Sequence, residues 1–185
     1  MAGGPRAGHG PAVPRGDKLR YAPLERPFRV VLVEPEIPPN TGAVARTCVA
    51  TGSPLHLVGP LGFSLDEHQV RRAGLDYWPL LELSRHVDLA AFTAAHPDAR
   101  LHLLSAGAPR SYLDADFRPG DALVFGRESV GLSPALLEQH ADRVIGIPTA
   151  GGVRSLNLSN AVAIVLYEAL RQSGALAHTR REAAR

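Results

Sequence analysis

The residues best suited to chemistry lie in three short stretches, each crowded with glycine and small polar side chains. Near the C-terminus, Gly151 and Gly152 are followed by Ser155, Asn157, Ser159 and Asn160, which run into an apolar segment. Side chains of this kind cap the unpaired N–H groups at a helix start, and capping needs only one or two of them. The surplus points to a polar or anionic ligand held against the helix N-terminus. A second stretch, Phe125-Gly-Arg-Glu-Ser-Val-Gly-Leu-Ser-Pro134, sets Glu128 between Gly126 and Gly131, which let the backbone pass close to a ligand. The third, Pro38-Pro-Asn-Thr-Gly42, precedes Arg46. With a helix starting near Thr41, the long Arg46 side chain leans back toward the loop mouth.

Other chemistries lack their signatures. The glycine spacing matches neither the dinucleotide fingerprint nor the Walker phosphate loop, so neither NAD nor ATP is indicated. No Ser-His-Asp order of a known motif is present. The eight histidines read as scattered without metal-ligand spacing, with His56, His68 and His86 as ordinary core or surface residues and no metal expected. Physical reasoning alone reaches an α/β enzyme that binds a polar organic ligand.

The elements that must position these loops follow from hydrophobic pattern. Strands are predicted at Phe28–Val33, Leu55–Val58, Leu80–Leu83, Leu101–Ser105, Ala122–Phe125 and Val144–Ile147. Helices are predicted at Ala43–Thr51, Asp66–Gly74, Val87–Ala95, Pro134–His140 and Leu158–Gln172, with Ser133 as an N-cap and Gly52 as a C-cap. Glu34–Gly42 reads as a loop, because its three prolines oppose a helix interior and a central strand. Strands alternating with helices imply a mostly parallel sheet, whose ligand crevice lies outside the carboxyl ends of the strands.

Bulk properties agree with one such domain. The chain has 185 residues, 45% hydrophobic and 21% charged, and a formal charge of +2 that permits a nucleic-acid partner without demanding one. The single cysteine, Cys48, excludes an intramolecular disulfide framework and a cysteine-based zinc cluster. No run approaches the ~20 apolar residues of a membrane span, and no signal peptide is recognisable, so a cytoplasmic protein is expected. The expected organisation is a flexible tail over 1–27, one domain over 28–172 and a second tail over 173–185, without internal repeats.

All three stretches together resemble the motifs of one family. Val31-Leu-Val-Glu-Pro-Glu-Ile-Pro-Pro-Asn-Thr-Gly-Ala-Val-Ala-Arg-Thr-Cys48 resembles the first motif of the SPOUT RNA 2′-O-ribose methyltransferases. Val124–Ser133 resembles the second, and Ile145–Pro148 with Ser155–Val162 the third. Glu34–Gly42 and Arg71-Arg-Ala-Gly-Leu-Asp-Tyr77 further resemble the TrmL type, which modifies the tRNA wobble nucleotide. The loops 149–153 and 105–108 are smaller and less polar than their usual counterparts in that subgroup.

The resemblance implies a Rossmann-like parallel sheet with helices on both faces and a C-terminal deep trefoil knot. General topology rules would have rejected the knot. It also implies a homodimer, S-adenosyl-L-methionine as cofactor, and tRNA, with leucine tRNAs foremost, methylated on the ribose 2′-OH of cytidine or uridine 34. By resemblance, Arg46 activates the 2′-OH and Asn40 orients it or the ribose, while Glu128, Ser155 and Asn157 shape the same catalytic pocket. Leu104, Gly126, Ile147, Ser155 and Leu156 match cofactor-binding positions, with Gly126 leaving room for the cofactor ribose. Arg71, Arg72 and Arg154 are candidates for RNA phosphates, and a solvated basic helix face accounts for Arg71 and Arg72 equally well. The competing readings are a 2′-O-methyltransferase for another tRNA position or rRNA, and a non-catalytic RNA-binding SPOUT protein.

Overall fold

A computed structural model describes residues 18–63 and 77–182. Six parallel strands form one sheet in the order β4-β3-β2-β6-β5-β7, with β2 at Arg29–Val33, β3 at Leu55–Val58, β4 at Leu83–His86, β5 at Leu101–Leu104, β6 at Ala122–Phe125 and β7 at Val144–Ile145. The central strands are apolar on both sides, as strands covered on both faces must be. Val30, Leu32, Leu123 and Phe125 pack in one layer with α1 (Pro38–Thr51) and the last helix, which supplies Val162, Val165, Leu166, Ala169 and Leu170. The alternate residues Val31, Ala122 and Val124 form the other layer with Phe92 of α2 (Leu89–Ala95) and with Leu136 and Leu137 of α3 (Pro134–Gln139). The last helix, α4, spans Leu158–Gln172.

Three expectations are corrected by local structure. First, α1 begins at Pro38, not near Thr41, because Pro38 and Pro39 occupy the first helical positions. Proline's missing N–H is not needed there and its fixed φ suits the helix, so these prolines start α1 rather than exclude it. Second, parts of both expected tails are ordered. Lys18–Tyr21 (β1) pairs antiparallel with Thr179–Glu182 (β8), and the Tyr21 hydroxyl donates to the Thr51 carbonyl at 3.0 Å. Third, the strand expected at Leu80–Leu83 is displaced to β4, behind a single 3-10 turn at Trp78–Leu80. The helix expected at Asp66–Gly74, with Arg71, Arg72 and His68, lies outside the described residues. No helix among the described residues is long and apolar enough to cross a membrane.

The histidines are not all scattered. His56 on β3, His86 at the end of β4 and His96 just after α2 turn toward one another beside Phe92, with His56 Nδ1 3.1 Å from His86 Nε2. Burial, followed by the neighbouring His96, His86 and Arg29, pulls the His56 pKa down to about 3. Cys48 is buried in the α1 layer, and that burial pushes its thiol up to about 12, so it packs rather than reacts.

A buried ion network holds the end of the sheet opposite the glycine-rich loops. Asp121 accepts from Arg100 at 2.7 and 2.9 Å, pairs with His102 Nε2 at 2.9 Å, and accepts the Arg118 N–H at 2.8 Å. Burial alone would raise its carboxyl, yet these hydrogen bonds hold it down at about 2. A carboxylate depressed in the folded state adds stability above its unfolded value of ~4, and that stability is lost as pH falls through about 2. Asp121→Asn is expected to cost about 1–3 kcal/mol at neutral pH and to flatten the acid limb of the stability curve. Thermal melts of both proteins from neutral pH down to about pH 2 check this; parallel acid limbs would mean that Asp121 does not set the acid response.

Candidate active site

The carboxyl ends of four adjacent strands, β2, β6, β5 and β7, open into one cleft of about 770 Å³. That volume falls within the range of small-molecule and cofactor sites. Its walls are the loops singled out by sequence: Ile37 and Asn40 after β2, Ser105 to Gly107 after β5, Gly126 to Leu132 after β6, and Gly146 to Leu158 in part after β7.

One carboxylate ties these loops together. Glu128 accepts the backbone N–H of Glu36 at 2.9 Å, that of Ile37 at 3.3 Å and the Asn40 side-chain amide at 3.0 Å. The N-cap residue Ile37 has no side chain able to cap α1, so the Glu128 carboxylate serves that end from another loop. Glu36 returns the contact, accepting the Ser129 N–H at 3.0 Å and its hydroxyl at 2.9 Å. Asn40 Oδ1 in turn accepts from Asn157 Nδ2 at 2.9 Å. Asn157 caps α4, with Oδ1 accepting from Ser159 N at 2.9 Å, from its hydroxyl at 2.7 Å and from Asn160 N at 3.4 Å. The chain Glu128–Asn40–Asn157 therefore fixes two helix starts against one loop. Three N–H donors thus occupy the Glu128 oxygens.

The strand β7 and its continuation are gripped on both sides. Ser105 N–H donates to the Ile145 carbonyl at 3.0 Å on one edge. On the other, Gly146 N–H donates to the Arg110 carbonyl and Tyr112 N–H to the Gly146 carbonyl, each at 2.9 Å. A Cβ at Gly146 would stand 2.7 Å from the Ser105 carbonyl oxygen and 3.1 Å from Ala108 Cβ, so the channel admits only glycine. Sequence reading missed Gly146; its signal, a glycine inside a short apolar strand, marks close backbone approach. Ile147 leaves this channel into the cleft, which it lines together with Leu104 and Leu156.

Gly126 lines the cleft, but its glycine has another cause than room for a ligand. A Cβ there would lie 2.2 Å from the Gly131 carbonyl carbon and 2.3 Å from Leu132 N. The loop folds back on itself, with Arg127 and Gly131 exchanging backbone hydrogen bonds at 3.3 and 2.9 Å and Gly131 at φ +74°. Arg127 is further ion-paired to Glu34, the first residue after β2, which adopts φ +50°.

Of the residues expected at the site, Asn40, Leu104, Gly126, Glu128, Ile147, Arg154, Ser155, Leu156 and Asn157 line the cleft, and Arg46 does not. Six helical residues beyond Asn40 amount to a rotation of ~240° at ~100° per residue, which turns Arg46 to a different face of α1. Its guanidinium lies over the Tyr77 ring, 4.9 Å from the centroid, and the Tyr77 hydroxyl donates to the Gly42 carbonyl at 2.8 Å. Among the described residues, Arg154 reaches only the Ser129 carbonyl, at 3.5 Å.

The model of the SpoU rRNA methylase family matches residues 27–167. The chain belongs to that family. A tRNA (cytidine(34)-2′-O)-methyltransferase of Burkholderia pseudomallei is 51% identical over 150 residues, covering 80% of this chain and 96% of the relative. A solved structure concerned with 2-OH methylation of C/U34 on tRNA matches with a TM-score of 0.74 and 49% identity, over 80% of this chain and 96% of the other. The SpoU methyltransferase AviRb of Streptomyces viridochromogenes, solved in complex with the cofactor AdoMet, matches with a TM-score of 0.66 and 29% identity over 80% of this chain and 61% of its own. The chain is thus an enzyme of this family, with S-adenosylmethionine as its expected cofactor.

Because the Gly126 contact is backbone against backbone, Gly126→Ala is expected to lower Tm and cofactor affinity together by opening the 126–132 loop. Calorimetric titration alongside a thermal melt checks this. Weakened binding at an unchanged Tm would instead restore the simple picture of a side chain filling ligand space.

Proposed function

We propose that this chain transfers the methyl group of S-adenosylmethionine to the ribose 2′-oxygen of nucleotide 34 in tRNA, cytidine or uridine, with leucine tRNAs as substrates. The observation that carries this reading is the convergence of three loops and the Glu128–Asn40–Asn157 chain on one cleft of cofactor size. The homologues' names supply the substrate, and the deep trefoil knot of the SPOUT fold is part of the same reading. The gripping of Gly146 between Ser105, just after β5, and residues 110–112 supports such threading.

The cleft fits the cofactor by its surfaces. Leu104, Ile147 and Leu156 offer apolar walls, and the glycine-rich turns bring backbone donors and acceptors to its edge. When bound, S-adenosylmethionine supplies an electrophilic methyl carbon on a sulfonium. The chain's own task is to hold the ribose 2′-oxygen in line with that carbon and to help it lose its proton. Asn40, locked between Glu128 and Asn157, is placed to orient the ribose without reorganisation. Arginine is a poor base, so the charged Arg46 stabilises the developing alkoxide while water or a phosphate takes the proton. Since Arg46 lies outside its own chain's cleft, this role belongs with a homodimer in which α1 of one protomer faces the site of its partner. Arg154, Arg71 and Arg72 are assigned to RNA phosphates.

Tritium transfer from labelled S-adenosylmethionine to total tRNA, with mapping of the modified nucleotide, tests the reaction. Label at the 2′-oxygen of nucleotide 34 is expected; label on ribosomal RNA or another tRNA position would replace the substrate. Arg46→Ala is expected to lower turnover at least about 100-fold, the scale of losing one charge-stabilising donor, while cofactor affinity stays within about twofold. Mixing that variant with an inactive Asn40→Ala protein should restore part of the activity by forming mixed dimers. An Arg46→Ala protein that loses cofactor binding equally would make Arg46 structural.

A further inference from the structure

Three histidines far apart in sequence meet on the other side of β2 from the cleft, and none of them lines it. His56 lies on β3, His86 ends β4 next to it, and His96 follows α2, which packs across the same edge of the sheet. One ring nitrogen from each falls within 4.8 Å of the other two. The ring centroids of His56 and His86 are 5.3 Å apart, and those of His56 and His96 are 4.9 Å apart, with Phe92 packed against all three. His56 is 97% buried by area, at 3% exposure, and its Nε2 has no hydrogen-bond partner among the described residues.

We propose that His56, His86 and His96 form a three-histidine site for a divalent transition-metal ion, with zinc(II) as its occupant. Neutral imidazole nitrogens are zinc's preferred neutral ligands, and three of them leave one tetrahedral position for water. With Zn–N bonds of ~2.0–2.1 Å, two nitrogens on one tetrahedral ion stand ~3.3 Å apart. The 3.1 Å between His56 Nδ1 and His86 Nε2 is close to that spacing. The wider separation within the trio closes by turning His86 and His96, which are only half-buried, toward the fixed His56 ring.

The surrounding charges are mixed, because Arg29 disfavours positive charge at His56 and His96. Arg29 is the cation nearest by its effect on these rings, and its guanidinium is engaged by the Gly120 carbonyl and lies 4.0 Å from Asp98 Oδ1. Asp98 and Glu82 add negative charge on the His96 side. The three ligands belong to three elements, so the ion would staple edge strand β4 and the end of α2 to β3. Its role is structural, independent of the methyl transfer proposed above.

The test uses the full, untagged chain stripped with a chelator and titrated with zinc(II), with bound metal counted after dialysis. One equivalent per chain is expected. Single variants His86→Gln and His96→Gln, at half-buried positions, should each weaken that binding at least about 100-fold, more than loss of an outer-sphere partner does. Circular dichroism establishes that they fold. His140→Gln, remote in the fold on the loop after α3, should bind like the parent. Free zinc at a hundredfold excess over Kd should raise Tm by about 5–10 °C in the parent and leave the two variants unmoved. Cobalt(II) in place of zinc should give the visible absorption of a tetrahedral nitrogen site. A parent chain that binds no zinc, or variants that bind as it does, would overturn the site and leave a plain hydrogen bond between two neutral rings.

Discussion

The site depends on the Glu128 carboxylate. Without it, the Glu36 and Ile37 N–H groups just before α1 would lose their acceptor, and the loop after β6 would lose a tie to that segment. Glu128 answers both needs by meeting the N–H groups of Glu36 and Ile37, while Glu36 takes hold of Ser129 in return. Each carboxylate is fixed by the segment that the other fixes. These are charge-assisted bonds, which are stronger than neutral ones and hold geometry as well as energy. Asn40 receives its orientation from this arrangement, and it passes the constraint to Asn157 and so to the start of α4.

Close approach of backbone to backbone explains the rest of the cleft's construction. At Gly126 and Gly146 a single Cβ would meet main-chain atoms under 3 Å away, and main chain cannot rotate aside as a long side chain can. Small residues at these points let loops from β5, β6 and β7 crowd together, leaving peptide groups at the surface of the cleft. A pocket made this way recognises a ligand through backbone donors and acceptors. It therefore needs few charged side chains pointing inward, in keeping with a cofactor that brings its own reactive charge.

Much of this was legible in the chain because it depends on local pattern. The apolar runs of β2, β3, β5 and β6 and the full extent of α4 follow from periodicity and caps, and the polar and glycine-rich stretches identify the loops around the cleft. What escaped depends on long-range packing. Prolines 38 and 39 suggested a loop because their effect reverses within one turn: they oppose a helix interior and favour its first positions. Lys18–Tyr21 has no hydrophobic period, since both strands of its ribbon are exposed and the pairing partner is over 150 residues away. The reason for Gly126 lies in the return of residues 131–132, which spacing cannot reveal. Similarly, His56, His86 and His96 are 30 and 10 residues apart, unlike any short ligand motif, and it takes the parallel pairing of β3 with β4 and the packing of α2 to unite them.

Arg46 stands apart from the cleft residues of its own chain. Asn40 and Arg46 belong to one motif in sequence, yet helical geometry sends them to different faces, and Tyr77 holds the Arg46 guanidinium on the outer one. Within its own chain, the cleft contains Arg127 and Arg154 as cations. Arg127 is committed to Glu34, and Arg154 sits at the exposed rim with one long contact to a carbonyl. Neither is held as a preorganised donor for a developing alkoxide, which needs a charge fixed before reaction begins. Arg46 does have that fixation, since its aromatic partner is itself tied to the Gly42 carbonyl at the start of α1. On the proposed reading, the chemistry is therefore divided: one protomer's cleft binds and aligns, and the other protomer's α1 contributes the charge. Such a division would make dimerisation a condition of catalysis.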